Sequence, residues 1–331
     1  MIPFALATLT PAALLILGAL RGGAWVWAAV LCITIVCAVL DRLIPRTPGP
    51  GGSEFPTGNA LSATLSLLHL PMLLLATSAI GAGDLPVWDR LGLLIGFGLF
   101  FGQIGHPNAH ELIHRPGRFL RGLGGMVYGT LLIGHHVSAH RLVHHVHVGT
   151  DADPNSARKG LGFWRFAPRA WIGSFRAGWQ AENALRSRRC GALTLHPYVF
   201  HAGWALAALG LSFAFARING ALALLGVAAY AQLQILLADY VQHYGLRRAP
   251  GPNGKPEPIA PRHAWNSPHA ASSAMMLNAP RHSDHHLHPM RPYPGLRLDP
   301  DMPLLPHALP VMAVIALWPP LWRRLMDPLI R

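Results

Sequence analysis

The chain has 331 residues, 51% of them hydrophobic and only 12% charged, with a mean hydropathy of +0.31. Apolar runs of about 20 residues recur, long enough to cross a bilayer as helices, which excludes a soluble enzyme built on one thick core. A formal net charge of +13 would suggest nucleic acid in a soluble protein. In a membrane protein, retention of Lys and Arg on the cytoplasmic side is the simpler cause, and no interleaved basic and aromatic surface calls for a nucleic-acid partner.

The pattern predicts an all-α integral membrane protein, one domain over 1–331. Six transmembrane helices are expected at about 2–20, 24–44, 59–82, 87–109, 198–216 and 220–241. Arg21-Gly22-Gly23 makes the first turn, a Pro/Gly loop runs from Pro45 to Gly58, and Asn219-Gly220 is a tight turn between the last two spans. Met-Ile-Pro-Phe carries no basic residue ahead of the first apolar run, so a retained helix is expected rather than a cleaved signal peptide. With the basic stretch 115–189 in the cytoplasm, alternation leaves only Arg21, Arg90 and Arg217 of the 27 Lys and Arg outside. Residues 110–197 and 242–331, and both termini, are then cytoplasmic.

Two further apolar runs do not read as spans. Leu120–Val137 contains Arg121 and glycines at 122, 124, 125, 129 and 134, and is expected to be a re-entrant or interfacial helix covered by protein. Leu304–Met326 is cut by Pro306, Pro310, Pro319 and Pro320 and is expected to pack at the interface. Of the cysteines, Cys32 and Cys37 sit in an apolar run, Cys190 stands apart, and no Cys-x-x-Cys pair exists. No thiolate zinc site or iron–sulfur module is therefore built in, and any electrons come from another protein.

The 20 histidines carry the chemistry. His110-Glu111-Leu112-Ile113-His114 places two imidazoles four residues apart, on one face of a helix. Alone it is the zinc-protease pattern with Glu111 as general base. A second group follows, His140, His144 and His145, and a third, His282, His285 and His286; His243 closes the sixth span. The spacings are helical, so each group can aim two or three rings into a common space. One ion cannot use nine imidazoles, whereas two ions with four or five each can; such ligands suit iron, zinc or copper. Ionisable groups at a membrane edge mark function. Single histidines at 69, 196, 201, 263, 269 and 307 read as hydrogen-bonding residues. His135, His136, His147 and His288 lie off the spacing, and His106 is one turn from His110.

The ensemble His-Glu-Leu-Ile-His-Arg, His-x-x-x-His-His and Arg281-His-Ser-Asp-His-His resembles the integral-membrane di-iron family of fatty acid desaturases and hydroxylases. Three residues rather than two separate the first histidines of the second box. Asp239-Tyr-Val-Gln-His-Tyr-Gly-Leu246 is similar to an Asn-Tyr-x-Glu-His-Tyr-Gly-Leu box, and Val148-Gly-Thr-Asp-Ala-Asp153-Pro-x-Ser-Ala-Arg to the segment after the second box. All three features resemble alkane 1-monooxygenases and the xylene monooxygenase hydroxylase component. The likeness runs from about Gly102 to Leu298. It departs at Ala139 and Gln242, where the family has glutamates, and at Asp239, where it has asparagine.

The resemblance implies two non-haem iron ions held by His110, His114, His140, His144, His145, His243, His282, His285 and His286. It also implies hydroxylation of a terminal methyl group of an alkane or alkyl substrate with O2 and two electrons. It implies a rubredoxin or ferredoxin-type donor with its reductase, and a place in a bacterial inner membrane. Glu111, Asp153, Asp239, Gln242 and Asp284 are expected to support the ligands, and Trp25, Trp27 and Phe97 to border the substrate channel. A lipid desaturase on the same scaffold is disfavoured by the three-residue gap. A zinc intramembrane protease would leave seven histidines idle. A metal transporter or sensor would want its ligands deeper in the bilayer.

Overall fold

A computed structural model describes residues 1–44, 58–188, 195–251 and 253–330. Cys190 and all but the last residue of the Pro45–Gly58 loop lie outside the described residues. Among these the architecture is helical, with two isolated backbone bridges and no strand.

Five helices are long and apolar enough to cross a membrane: α1 (Ile2–Arg21), α2 (Ala24–Leu43), α3 (Asn59–Ala82), α4 (Val87–Ile113) and, named α8 by its place in the chain, Pro197–His243. The stretch read as the last two spans, 198–216 and 220–241, is two helices that meet at a sharp break within Pro197–His243. Ala216 (φ −138°, ψ 27°) and Arg217 (φ 52°, ψ −145°) leave helical geometry, just before the predicted Asn219-Gly220 turn. A Cβ at Gly220 would run into Ser212 O. Residues eight apart in a straight helix are about 12 Å apart, so the chain doubles back at the break with no loop between the halves.

Large apolar side chains such as Leu6, Leu20, Leu206 and Phe215 are 63%, 65%, 68% and 65% exposed, the inverse of a soluble surface. The inward faces carry small residues that let backbones approach. A Cβ at Gly102 of α4 would meet Gln234 of α8 at 2.5 Å, and beside it Gln103 Nε2 donates to Gln234 Oε1 at 3.1 Å.

α4 runs unbroken into the first histidine box, so His110 sits inside the last turns of an apolar helix. After Pro116 the chain reverses into α5 (Arg118–Thr130), a 13-residue helix that is too short to span and packs its Gly124 on Ala109 O. Thr130 reaches His69 of α3 at 2.9 Å. α6 (136–147) carries the second box, and α7 (Phe163–Ser187) packs beside it. Beyond α8 lie α9 (Ala270–Met275), α10 (His282–Leu287), α11 (Leu309–Ala316) and α12 (Pro319–Met326). The last two are eight residues each, too short to span, as the prolines of this tail require. Asp41, at the end of α2, accepts from Ala271 N and Ser272 N at 2.8 and 3.0 Å. It thus caps the orphan donors of α9 and ties the helix before the third box to a membrane span.

Candidate metal centre

The nine histidines of the boxes and of α8 converge from four helices into two groups. His110, His114, His140, His145 and His285 form the first, and His144, His243, His282 and His286 the second. Within each group one ring nitrogen per residue lies within 4.8 Å of all the others.

The sorting is not the one that helical spacing alone suggests. His140 and His144, four apart, would share a direction on an α-helix. Instead α6 carries a π-helical turn over His140–His144, and a wider turn moves the aligned partner from i+4 to i+5. His140 therefore meets His145, Nε2 to Nε2 at 2.9 Å, and His144 turns toward the second group. The short α10 keeps ordinary spacing: His282 and His286 face one another at 3.1 Å, while His285 points the other way, to His145 at 3.2 Å. A second π-helical turn, Phe101–Gly105, precedes the first box in α4.

Neighbouring Nε2 atoms stand 2.7 Å apart for His110 and His140, 3.0 Å for His243 and His282, and 3.3 Å for His243 and His286. Metal–nitrogen bonds of about 2.0–2.1 Å at octahedral to tetrahedral angles separate ligand atoms by roughly 3.0–3.4 Å, so these distances are close to the edges of a coordination polyhedron. His114 Nε2 in the first group and His144 Nε2 in the second are buried with no hydrogen-bond partner among the described residues. Leaving such a nitrogen unsatisfied costs about 1–3 kcal/mol, and a shared metal ion satisfies it. The residues present fit one ion per group.

Electrostatics favour the ligand form. Burial first, and then repulsion from neighbouring rings, holds His140, His145, His282, His285 and His286 well below the ordinary imidazole value. Burial, with Arg141 and then other charges, brings His114 down to about 3. These rings are neutral at neutral pH, as metal ligation needs. His144 is the exception: burial lowers its value, but Asp153 outweighs burial and raises it.

That carboxylate is held in place. Asp153 Oδ2 accepts from His144 Nδ1 at 2.9 Å and from Ser156 Oγ at 2.6 Å, and Oδ1 from Asn155 N at 3.1 Å. Asn155 Nδ2 donates to Asp239 Oδ2 at 2.6 Å, which links Asp239 to the second group through two intermediaries. The other expected supports are engaged elsewhere. Glu111 pairs with Arg115 and accepts from Tyr293 N at 3.2 Å, and Gln242 Nε2 donates to Ala279 O at 3.2 Å. Asp284 accepts from Arg291 at 2.5 and 2.6 Å and from Arg297 N at 2.8 Å, tying α10 to the segment after it. Beside Ala139, Ser138 Oγ donates to Glu182 Oε1 of α7 at 2.6 Å. A carboxylate does stand next to the second box, but it comes from another helix and bonds the backbone neighbour.

A cavity of about 20 Å³ touches both groups, through His110 and His282. Pro107, Ala238, Met276, Ala279 and Leu309 supply its apolar walls, and His106, Asp239 and Gln242 its polar ones. His106 Nδ1 is bonded by Tyr128 OH at 2.8 Å. None of the apolar wall residues carries a sequence signal, because a small hydrophobe beside a metal is indistinguishable from one in any core. Trp25, Trp27 and Phe97 do not line this cavity: the tryptophans are 41% and 40% exposed, and Phe97 is buried against Phe101 at 5.8 Å. His69 and His263, expected to be hydrogen-bonding residues, bond Thr130 and Glu257, and His135, off the ligand spacing, bonds Ser174.

Residues 85–313 match the fatty acid desaturase family. The chain belongs to that family. All nine clustered histidines lie inside the matched stretch, and within the fatty acid desaturase family the chain is similar to proteins named for hydroxylation. It is 34% identical to alkane 1-monooxygenase 2 of Pseudomonas aeruginosa over 95% of this chain and 86% of the relative. It is 33% identical to alkane 1-monooxygenase 1 of the same organism over 93% and 83%. The xylene/toluene monooxygenase hydroxylase component of Pseudomonas putida is 25% identical over 93% and 83%.

Proposed function

We propose that this protein is a membrane monooxygenase that hydroxylates the terminal methyl group of an alkane or alkyl substrate. The observation that carries the reading is the convergence of nine histidines into two adjacent groups that share one small cavity with apolar walls on one side. The similarity to alkane 1-monooxygenases over nearly the whole chain supports the same reading.

His110, His114, His140, His145 and His285 hold one iron, and His144, His243, His282 and His286 the other. When bound, the iron pair supplies O2 activation, with one oxygen atom entering the C–H bond and the other leaving as water at the expense of two electrons and two protons. The chain's own residues do the rest. Asp153 fixes the His144 ring and its tautomer so that Nε2 faces the metal side. Ala238, Ala279 and Leu309 keep the reacting end of the substrate in a dry space where only a methyl-sized group fits. Tyr128 holds His106 against that space.

The two halves of α8 act as two spans, which makes six in all. The centre then lies on the cytoplasmic side of a bacterial inner membrane with both termini inside, in keeping with the basic residues that flank the boxes. The absence of any Cys-x-x-Cys calls for an external one-electron donor of the rubredoxin or ferredoxin type, with its reductase, approaching that basic face.

Metal analysis of the purified protein joined to product identification tests the reading, with an n-alkane, an alkylbenzene and a fatty acyl chain offered with O2 and a reducing system. Two irons per chain and a primary alcohol are expected. One zinc per chain with peptide cleavage abolished by Glu111→Gln would overturn it, and an alkene from the acyl chain would move it to desaturation.

A further inference from the structure

The small cavity at the metal centre has a larger neighbour. Between α1, α2 and α9 lies a space of about 790 Å³, walled by Phe4 and Ala7, by Val36 and Leu40, and by Ala271 and Met275. Its volume is within the roughly 300–1,000 Å³ of small-molecule sites, and its lining is mostly apolar. Trp25, Trp27 and Phe97 are not part of it.

The two spaces share one wall. Met275, Asn278 and Arg281 line the large cavity, while Met276, Ala279 and His282 line the small one. Successive residues of a single segment thus face opposite sides, and the partition is one strand of chain thick. Its shape is set by Leu277 (φ 50°) and Asn278 (φ 55°), two consecutive left-handed residues that turn the chain between α9 and α10. Asn278 Nδ2 anchors the turn to Tyr293 O at 2.9 Å. Met276, 5% exposed, is the flexible apolar member on the side of the small cavity: an unbranched thioether changes rotamer at low cost, where Leu or Ile would not.

We infer that the large cavity holds the body of an unbranched hydrocarbon and that Met276 gates the passage of its terminal methyl into the chamber at the metal centre. The occupant follows from the geometry on both sides of the wall. The chamber of about 20 Å³ is above the minimum for one water-sized group, about 10–15 Å³, so it admits a chain end and no more. The rest of the molecule therefore needs an apolar space directly behind the wall, and this cavity is there. In this reading Met276 swings aside to pass a methylene chain and rejects a branched or aromatic end. The selectivity for terminal carbons is in this way placed on Met276, Ala279 and Ala238.

The inference rests on the hydroxylase reading for the chamber, but the large cavity has its own test. Full-length protein in nanodiscs is irradiated with a diazirine-bearing n-alkane, and the labelled peptides are mapped. Labels on 3–10, 32–44 and 270–278 that unlabelled n-alkane displaces, and that Ala7→Trp reduces by about tenfold, are expected. Labels that n-alkane does not displace assign the cavity to membrane lipid and overturn the inference, as do labels confined to the face bearing Trp25 and Trp27. This readout does not depend on turnover, so a protein that fails to hydroxylate any alkane overturns the proposed function while the map still decides the cavity.

Product analysis tests the gate. Met276→Ala is expected to raise the ratio of subterminal to terminal alcohol by about tenfold, and Met276→Leu, of similar volume but stiffer, to keep the product ratio while slowing alkane turnover. Each variant is compared at equal metal content and equal size-exclusion profile. Met276→Ala at full metal content with an unchanged product ratio overturns the gating role.

Discussion

The two histidine groups are built from the same residue type and from interleaved segments, yet they sit in different surroundings. The four rings of the second group are all buried, while His114 and His145 of the first are only partly so. The second group has a carboxylate in direct contact, Asp153 on His144, and a further one, Asp239, behind Asn155. Among the described residues no carboxylate bonds a ring of the first group. Glu111, beside His110 in the chain, is spent on Arg115 and the Tyr293 backbone. The second group is therefore short of ligands but anionically supported, and the first is rich in ligands and supported by neutral rings alone. An anionic partner makes an imidazole a stronger donor, so the two ions are expected to differ in affinity and in redox behaviour although every ligand is the same side chain.

Four substitutions break or sharpen that contrast. His243→Ala removes one of only four proposed ligands and a fully buried ring. It is expected to halve the metal content and to lower hydroxylation by more than about 100-fold, beyond the range of a lost supporting contact. Metal analysis on the purified variant checks it, and full metal content would show that three rings suffice. Asp153→Asn keeps the shape and removes the charge. The second ion should bind about 10–100-fold more weakly, read by chelator competition, while the first is unchanged. Equal weakening of both would mean that the groups act as one unit.

His114→Ala takes one of five proposed ligands, so its loss of metal is expected to be smaller than that of His243→Ala in the same assay. A larger loss would reverse the ranking of the groups. Glu111→Gln should leave both ions bound and turnover within a few-fold, because the side chain faces away from the rings. It should also lower stability, as a buried ion pair with Arg115 is broken. Thermal unfolding beside metal analysis separates these effects, and a collapse of activity with metal intact would return Glu111 to the chemistry.

Much of the fold was legible because the bilayer imposes a simple rule on sequence: helix-length apolar runs with charges at their ends. The first three spans stand within a residue or two of their predicted limits, and the 120–137 and 304–326 segments form helices too short to cross. The form of the turn between the last two helices is also physical. The sequence shows a turn, but whether a turn opens into a loop or closes into a helical corner depends on the packing of Ser212 against Gly220. The supports of the site were less legible. Asp284 and Glu111 stand beside ligands in the chain but point to arginines, since direction on a helix is decided by which neighbouring segment brings the counter-charge.

The histidine boxes show where the division falls. Clustering at helical spacing named eight of the nine rings that gather, because i, i+3 and i+4 on a helix are local geometry, while His243 was singled out by its place at the end of an apolar run. Spacing could not say which ring goes to which group. That depends on a π-helical turn at His140–His144, which pairs His140 with His145 and frees His144, and on α10 entering between the groups so that its three rings divide. A widened turn repays its strain only when tertiary contacts such as the Asp153 bond hold the displaced ring. The partition into five and four, and the cavity between them, therefore belong to the folded structure rather than to the pattern of histidines.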